Sequence, residues 1–235
     1  MLSRDEACAV AERLAERAVR AGADAADAIY VGSRSTDVQV RLGELDQVNR
    51  SEGGEIGLRV FLGAKPATVA SSDFSADALD ELVKRALAMA GEAAEDPFAG
   101  YAPPELLSQP PFADLDSVDE REPDPAELRA RALEAEKAAL AIKGVTNSSG
   151  AGASASMATV AVATSLGFSG AHQGTGRGCS VSVVAGEGAG KQRDSWSHSV
   201  RHLAELESPE QIGREAGRRA VARLNPVRPK AGAMP

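Results

Sequence analysis

The stretch "TDVQVRLGELDQVNRSE", residues 36–52, decides the fold. Apolar and polar side chains alternate on both sides of Gly43, which is typical of two strands joined by a tight turn. The neighbouring stretches "DAIYVG" (27–32) and "EIGLRVFLGAKPATVAS" (55–71) alternate in the same way. The pattern therefore predicts an antiparallel meander. Its predicted hairpin turns lie near Gly43, Gly53–Gly54 and Gly63.

Two amphipathic helices are predicted on either side of this meander. The first begins after Ser3, has Glu6 in the position of a capping box, and stops near Gly22. The second begins after Ser75 and continues one apolar stripe to Ala90. Helices packed on antiparallel meander sheets define an α+β fold.

Residues 92–127 interrupt the pattern. They hold seven of the chain's twelve prolines and eleven acidic side chains, with Arg121 as the one basic residue. This composition favours a strap or linker over a third core.

The second half of the chain repeats the plan of the first. A capping box at Asp124–Glu127 opens a helix that stops near Gly144, and a last helix begins after Ser208. Between them lie three segments of strand character, residues 153–170, 176–188 and 191–200. We therefore expect two α+β units of similar element order. The expected divisions are an N-terminal unit at 1–91, a strap at 92–124, a central unit at 125–225 and a tail at 226–235.

Composition and charge exclude several classes of protein. The 235 residues carry 26 Lys and Arg against 34 Asp and Glu, a formal net charge of −8, so no nucleic-acid partner is expected. No stretch approaches the ~20 apolar residues that cross a bilayer, so no membrane partner is expected. Cys8 and Cys179 lie far apart, and the charged N-terminus has no signal-peptide pattern. We expect reduced thiols and a cytoplasmic location.

The pair His198 and His202, in "HSVRH", is the first candidate for a metal site. On a helix the two rings would share a face and could bind zinc. However, the preceding residues have strand character, which would separate the rings by roughly 13 Å. No glutamate follows His198 to act as a general base. We therefore expect a solvated strand end.

The other candidates also favour structural interpretations. Asp194, Ser195 and His198 have the residue types of a serine triad, but a triad is assembled from separate segments. His172, in "GAHQGTGRG", matches no phosphate-loop pattern and is expected at a hairpin tip. Cys179 is expected to be a small packed side chain.

Acidic residues on the predicted hairpins are more typical of edges that resist strand-to-strand aggregation than of an acid–base pair. They are Glu44, Asp46, Glu52 and Glu55. The residues alone therefore assign no catalytic, cofactor-binding or metal-binding position.

Five separated blocks together resemble the TldD/PmbA family, and its PmbA (TldE) branch more than its TldD branch. The blocks are "GELDQVNRSEGGEIGLRVFLG" (43–63), "ATVASSDFSADALDELVKRALAMA" (67–90), "EDPFAGYAPPELL" (95–107), "VATSLGF" (162–168) and "LESPEQIGREAGRRAVARL" (206–224). The resemblance covers the N-terminal and central parts of the family, and it implies that the tail leads into an absent C-terminal β-rich domain. Whether the chain is a natural truncation or a fragment is left open.

The resemblance also implies a role. In the TldD branch a His-Glu-x-x-x-His motif in the C-terminal half supplies zinc ligands and a general base, and this sequence contains no His-Glu pair. The PmbA-like branch is the non-catalytic partner in proteolysis of unfolded or modified peptides. We expect no cofactor in this chain, zinc in a TldD-like partner, and a hetero-oligomer or a homodimer.

Two alternatives stay open from the residues. One is a free-standing metal-dependent hydrolase that uses His198 and His202 with a carboxylate or Cys179. The other is a truncated interaction module that binds a partner without enclosing a cavity.

Overall fold

The computed structural model of the chain describes residues 1–101, 104–227 and 232. The helices are α1 (Arg4–Arg20), α2 (Ala76–Glu92), α3 (Pro125–Leu140) and α4 (Pro209–Ala222). The strands are β1 (Ala25–Arg41), β2 (Glu44–Leu62), β3 (Lys65–Ser71), β4 (Val145–Thr164), β5 (Ser169–Ala185) and β6 (Gln192–Val200). They form one sheet in the order β3-β2-β1-β4-β5-β6. The α+β prediction is confirmed, and the order helix, three strands, helix occurs twice.

Local capping signals place the helix starts where the sequence predicts them. The side chains of Ser3, Asp124 and Ser208 each form a capping box with the residue three positions later, and Ser75 accepts from the Ala78 N–H. Each such cap satisfies a backbone N–H that has no partner within the helix and stabilises its helix by about 1 kcal/mol.

The chain folds into two compact units made of interleaved segments. Unit 1 contains residues 1–34, 51–118 and 157–175, and unit 2 contains 35–50, 119–156 and the chain from 176 onward. The strands β1, β2, β4 and β5 are long, so each contributes residues to both units. The division predicted from the sequence, with an N-terminal unit at 1–91 and a central unit at 125–225, follows composition and element order along the chain, and it stays a prediction.

Each unit has its own apolar core. In unit 1 the buried faces of α1 and α2 pack with Ile56, Leu58 and Val60 of β2. In unit 2 the buried faces of α3 and α4 pack with Val181 and Val183 of β5. Both cores are rich in alanine, as the scarcity of aromatic residues requires.

The turn predicted at Gly53–Gly54 is wrong, because β2 continues without a break from Glu44 to Leu62. These glycines make room for a side chain instead. A Cβ on Gly54 would lie 3.0 Å from the Tyr30 hydroxyl, and one on Gly32 would lie 2.2 Å from it. The buried Tyr30 ring thus requires glycine within two strands, and its hydroxyl accepts the Leu2 N–H at 3.0 Å.

The hairpin tip predicted around His172 is also wrong, since His172 lies inside β5. The chain turns earlier, at residues 165–168, where Gly167 has φ +94°. The nearby Gly176 lies within the strand, and its missing side chain leaves room for Ser156: a Cβ there would approach the Ser156 hydroxyl to 2.7 Å.

Candidate functional site

The candidate site of unit 2 is built around Arg177 of β5, whose side chain is only 2% exposed. One terminal nitrogen donates to the carbonyls of Ser156 and Gly176, both at 3.0 Å. The other donates to the carbonyls of Asp119 at 3.2 Å and Arg121 at 2.8 Å. Among the described residues, its buried Nε finds no hydrogen-bond acceptor. Arg177 therefore fastens the end of the strap to β5.

Asp119 supplies the negative charge beside this buried cation. Its Oδ2 lies 3.8 Å from the Arg177 Nε and accepts the Leu203 N–H at 2.7 Å. The Leu203 hydrogen bond, followed by that of the Arg121 N–H and the charge of Arg177, lowers the pKa of Asp119 against the opposing effect of desolvation. The sequence prediction missed this pair, although an arginine between Gly176 and Gly178 in an alternating strand was a usable signal.

The register of β5 and β6 places Cys179 directly opposite His198. Cys179 is 3% exposed, and burial raises the pKa of its thiol to about 11. The His198 Nδ1 accepts the Glu207 N–H at 3.1 Å. A protonated, buried thiol is a poor nucleophile, so this pair has the geometry of packing and not of an activated cysteine. The packing interpretation of Cys179 is confirmed.

The two histidines of "HSVRH" lie in different local structures. His198 is inside β6, as the strand prediction requires, whereas His202 immediately precedes a short 3₁₀ turn at Leu203–Glu205. Within the part of the chain that the structure describes, no group of three or more His, Cys, Asp or Glu side chains is placed to hold a metal ion.

Asp194 is engaged with α4 and not with His198. Its carboxylate accepts from Arg223 at 2.9 Å and lies 3.9 Å from the Arg219 Nε. The Arg223 hydrogen bond is the main reason that the pKa of Asp194 is lowered. Ser195 contributes its backbone N–H to the same carboxylate at 2.8 Å. The residue types of a triad are therefore present, but Asp194 orients arginines instead of a histidine.

Trp196 completes the contacts between β6 and α4. Its indole N–H donates to Glu207 at 2.9 Å, and the Arg219 guanidinium lies 4.9 Å from the ring centroid. This stacked cation contributes ~0.5–1 kcal/mol at a partly exposed site.

A cavity of about 260 Å³ lies over small side chains of β4, β5 and β6. Its lining includes Gly152, Ser154, Gly178, Ser180, Ser197 and Ser199. Ligand pockets usually reach ~300–1,000 Å³ and have apolar walls. The cavity is smaller than such pockets and is lined largely by hydroxyl groups and backbone of small residues, so it does not have the character of a typical ligand pocket.

The four acidic residues predicted on hairpins all lie on β2 and are exposed. Glu52 accepts from the Met1 ammonium group at 2.6 Å. The carboxylate that holds this region is one that the sequence prediction missed, Glu136 of α3, which is 1% exposed. It accepts the N–H groups of Leu42 and Gly43, both at 2.8 Å, and so holds the tip of the β1–β2 hairpin.

Two family models match the chain in order. Residues 26–90 match the PmbA/TldA metallopeptidase domain 1, and residues 118–224 match the PmbA/TldA metallopeptidase central domain. None of the described helices is both long and apolar enough to cross a membrane.

Individual relatives agree with these models. The chain is 32% identical over 206 residues to the Metalloprotease PmbA of Escherichia coli O157:H7. The matched residues cover 86% of this chain and 45% of that relative. It is 28% identical over 212 residues to the Metalloprotease PmbA homolog of Haemophilus influenzae, covering 90% of this chain and 47% of that relative. The chain thus spans about half the length of these relatives.

Solved structures share the fold. A proposed modulator of DNA gyrase from Bacteroides thetaiotaomicron superimposes with a TM-score of 0.90 at 19% identity, covering 99% of this chain and 53% of that one. TldE from Thermococcus kodakarensis superimposes with a TM-score of 0.74 at 17% identity, covering 88% of this chain and 46% of that one. With both domain models matched in order, the chain belongs to the TldD/PmbA family of metallopeptidases.

Proposed function

We propose that this chain is the N-terminal and central portion of a PmbA/TldE-like subunit. In this proposal it acts in a cytoplasmic TldD/TldE-type complex that hydrolyses unfolded or modified peptides, and it contributes structure and contacts while a TldD-like partner carries the zinc. The observation that carries the proposal is the similarity to proteins named PmbA over 86% of the chain.

The contacts within unit 2 support a structural role for the residues that the sequence offers as catalytic candidates. Asp194 is held by Arg223, His198 by the Glu207 N–H, and Cys179 is a protonated, buried thiol. Asp194 and His198 hold the end of α4 and the segment before it against β6, while Arg177 holds the strap against β5. A peptide-handling subunit needs this rigidity, because an extended peptide is recognised by its main chain against fixed strands.

The proposal is tested by co-expression with the TldD-like subunit encoded in the same genome, followed by affinity purification and metal analysis. We expect a stable complex whose zinc depends on the His-Glu-x-x-x-His motif of the partner. The His198→Ala variant should carry the same zinc content. A chain that binds no TldD-like subunit, or that holds stoichiometric zinc alone and loses it in His198→Ala, would contradict the proposal and favour the free-standing hydrolase.

A further inference from the structure

The first half of β2 is exposed on both faces. Every residue from Glu44 to Gly53 is exposed, including Leu45 and Val48, which are 46% and 49% exposed. The neighbouring strand β3 pairs with β2 only from Ile56 onward. Among the described residues, the outer edge of β2 from Glu44 to Glu55 therefore carries no strand. Such an edge presents main-chain N–H and C=O groups to any strand that fits it.

Charge decides which strand can fit. Like charges directly opposite each other destabilise a pair of strands, whereas opposite charges and paired amides stabilise it. The edge carries one cation, Arg50, and four acidic residues, Glu44, Asp46, Glu52 and Glu55. A strand that places a cation opposite Asp46 and an anion opposite Arg50 is therefore favoured over one that places like charges there.

A second copy of the same edge meets this requirement. When two identical strands pair antiparallel about a two-fold axis at Val48, Asp46 of each copy lies opposite Arg50 of the other. Gln47 likewise lies opposite Asn49, and Val48 lies opposite itself. The five residues 46–50 are thus complementary to their own reversed order, with two ion pairs and two amide pairs around an apolar centre.

The neighbouring registers are worse. Two residues that lie opposite each other in an antiparallel pair point to the same face of the sheet. The two-fold axis must therefore pass through a residue and not between two residues, so alternative registers place it at Gln47, Asn49 or a residue farther away. With the axis at Asn49, Asp46 would face Glu52, and with the axis at Gln47, Asp46 would face Val48. In the Val48 register the next like-charge pair is Glu44 with Glu52, which limits good pairing to residues 45–51.

We propose that two copies of this chain pair edge to edge through β2, antiparallel and with the two-fold axis at Val48. The hairpin tip is already held by Glu136, which keeps the edge in place without covering it. This interaction goes beyond the proposed function and needs no zinc-bearing partner, so its failure would leave that function untouched.

Charge reversal tests the pairing by sedimentation velocity over a range of concentrations. The wild-type chain should form a dimer. The single variants Asp46→Arg and Arg50→Asp each place like charges opposite each other twice, and each should weaken the dimer by at least about tenfold. The double variant Asp46→Arg/Arg50→Asp restores both pairs and should recover the dimer. A wild-type chain that stays monomeric, or a double variant as weak as the singles, would overturn the proposal.

A cysteine at the axis tests the register. In a Cys8→Ala background, Val48→Cys should form an intermolecular disulfide under mild oxidation, because opposite Cα atoms lie ~4.5–5.5 Å apart. The control Glu44→Cys should not, because in this register the two copies of position 44 are separated by roughly 27 Å along the strands. Equal cross-linking of both variants would overturn the register. Loss of the Val48→Cys product when an unrelated extended peptide is added would overturn the choice of a second copy as the strand that fits this edge.

Discussion

The edge strand β6 and residues 44–50 of β2, where β3 does not cover the outer side of β2, both belong to unit 2, yet they are fixed in opposite ways. Every second residue of β6 is half-buried, and three of these residues form hydrogen bonds with residues that flank α4. Asp194 bonds to Arg223, Trp196 bonds to the Glu207 carboxylate, and His198 accepts the Glu207 N–H. The first half of β2 is exposed on both faces and is held at its tip by Glu136. The comparison teaches that packing against α4 fixes β6, whereas the outer edge of the first half of β2 is left available for pairing with another strand.

The largest expected effect concerns α4, the helix that covers β6. A Cβ on Gly213 would lie 2.1 Å from the Ala135 carbonyl oxygen of α3, so Gly213→Ala forces the helices apart. We expect a loss of about 3 kcal/mol in the free energy of unfolding, measured with urea. The matched control is Gly91→Ala in α2, where a Cβ meets nothing within 4 Å and the better helix propensity of alanine adds up to ~1 kcal/mol. Equal effects would contradict the close packing of α3 and α4.

The next effect compares one large side chain from each edge. Trp196→Ala removes the ring from under Arg219 and leaves Glu207 without its indole donor, and it should cost about 2–3 kcal/mol. Val48→Ala on β2 should change the stability of the dilute monomer by less than ~0.5 kcal/mol, because its side chain touches little. Both free energies are measured by circular dichroism during urea unfolding. Tryptophan fluorescence cannot be used, because Trp196 is the single tryptophan and one variant removes it. A similar loss in the free energy of unfolding for both variants would contradict the difference in packing between the two edges.

A third substitution releases the tip of the β2 edge. Glu136→Gln keeps the shape of the side chain but leaves one acceptor oxygen where there were two, so the N–H of either Leu42 or Gly43 would face the amide NH2 group, which should cost about 2 kcal/mol. Amide exchange should rise at Leu42 and Gly43. The exposed Glu134 of the same helix is the control, and Glu134→Gln should leave both the stability and the exchange unchanged. Unaltered exchange at the tip in Glu136→Gln would show that the carboxylate is not what holds it.

The smallest effect is a dependence on pH at the β6 edge. The pKa of Asp194 is lowered in the folded state, chiefly by Arg223, so its contribution to stability is fully present above its unfolded pKa of ~3.9 and is lost as the pH falls through the lower folded pKa. Asp194→Asn should cost less than ~1 kcal/mol at neutral pH, since the pair is near the surface. The difference from wild type should shrink below about pH 4. A difference that is constant with pH would contradict the assignment.

Local signals in the sequence predicted the local parts of the fold well. Ser3, Ser75, Asp124 and Ser208 each cap a helix through a bond within three residues, so the sequence near each cap contains all the necessary information. The element order of both units followed from the same signals and from strand alternation.

The errors came from glycines whose cause lies far away in sequence. Gly54 suggests a turn when it is considered alone, but Tyr30 lies against it from another strand. Gly176 suggests a flexible tip, but the Ser156 hydroxyl occupies the space where its Cβ would be. Periodicity cannot distinguish a glycine that allows a turn from one that allows a close contact, because the contact depends on pairing between distant strands.

The candidate site was harder to predict for the same reason. Arg177 is stabilised by carbonyls of Asp119 and Arg121, more than fifty residues earlier, and Glu136 is stabilised by a turn ninety-three residues earlier. Charged residues at buried positions of an apolar pattern were the available clue. Their partners could only be identified from the tertiary structure.

Hydrogen–deuterium exchange of the two edges tests the central claim most directly. Peptides covering residues 44–53 and 192–200 are compared in dilute and concentrated wild-type protein and in the Asp46→Arg variant. We predict that exchange in 44–53 is fast in the dilute protein, slows on concentration and stays fast in the variant, while exchange in 192–200 is the same in all three samples. Exchange in 44–53 that does not respond to concentration would contradict the claim that this edge pairs with a second copy.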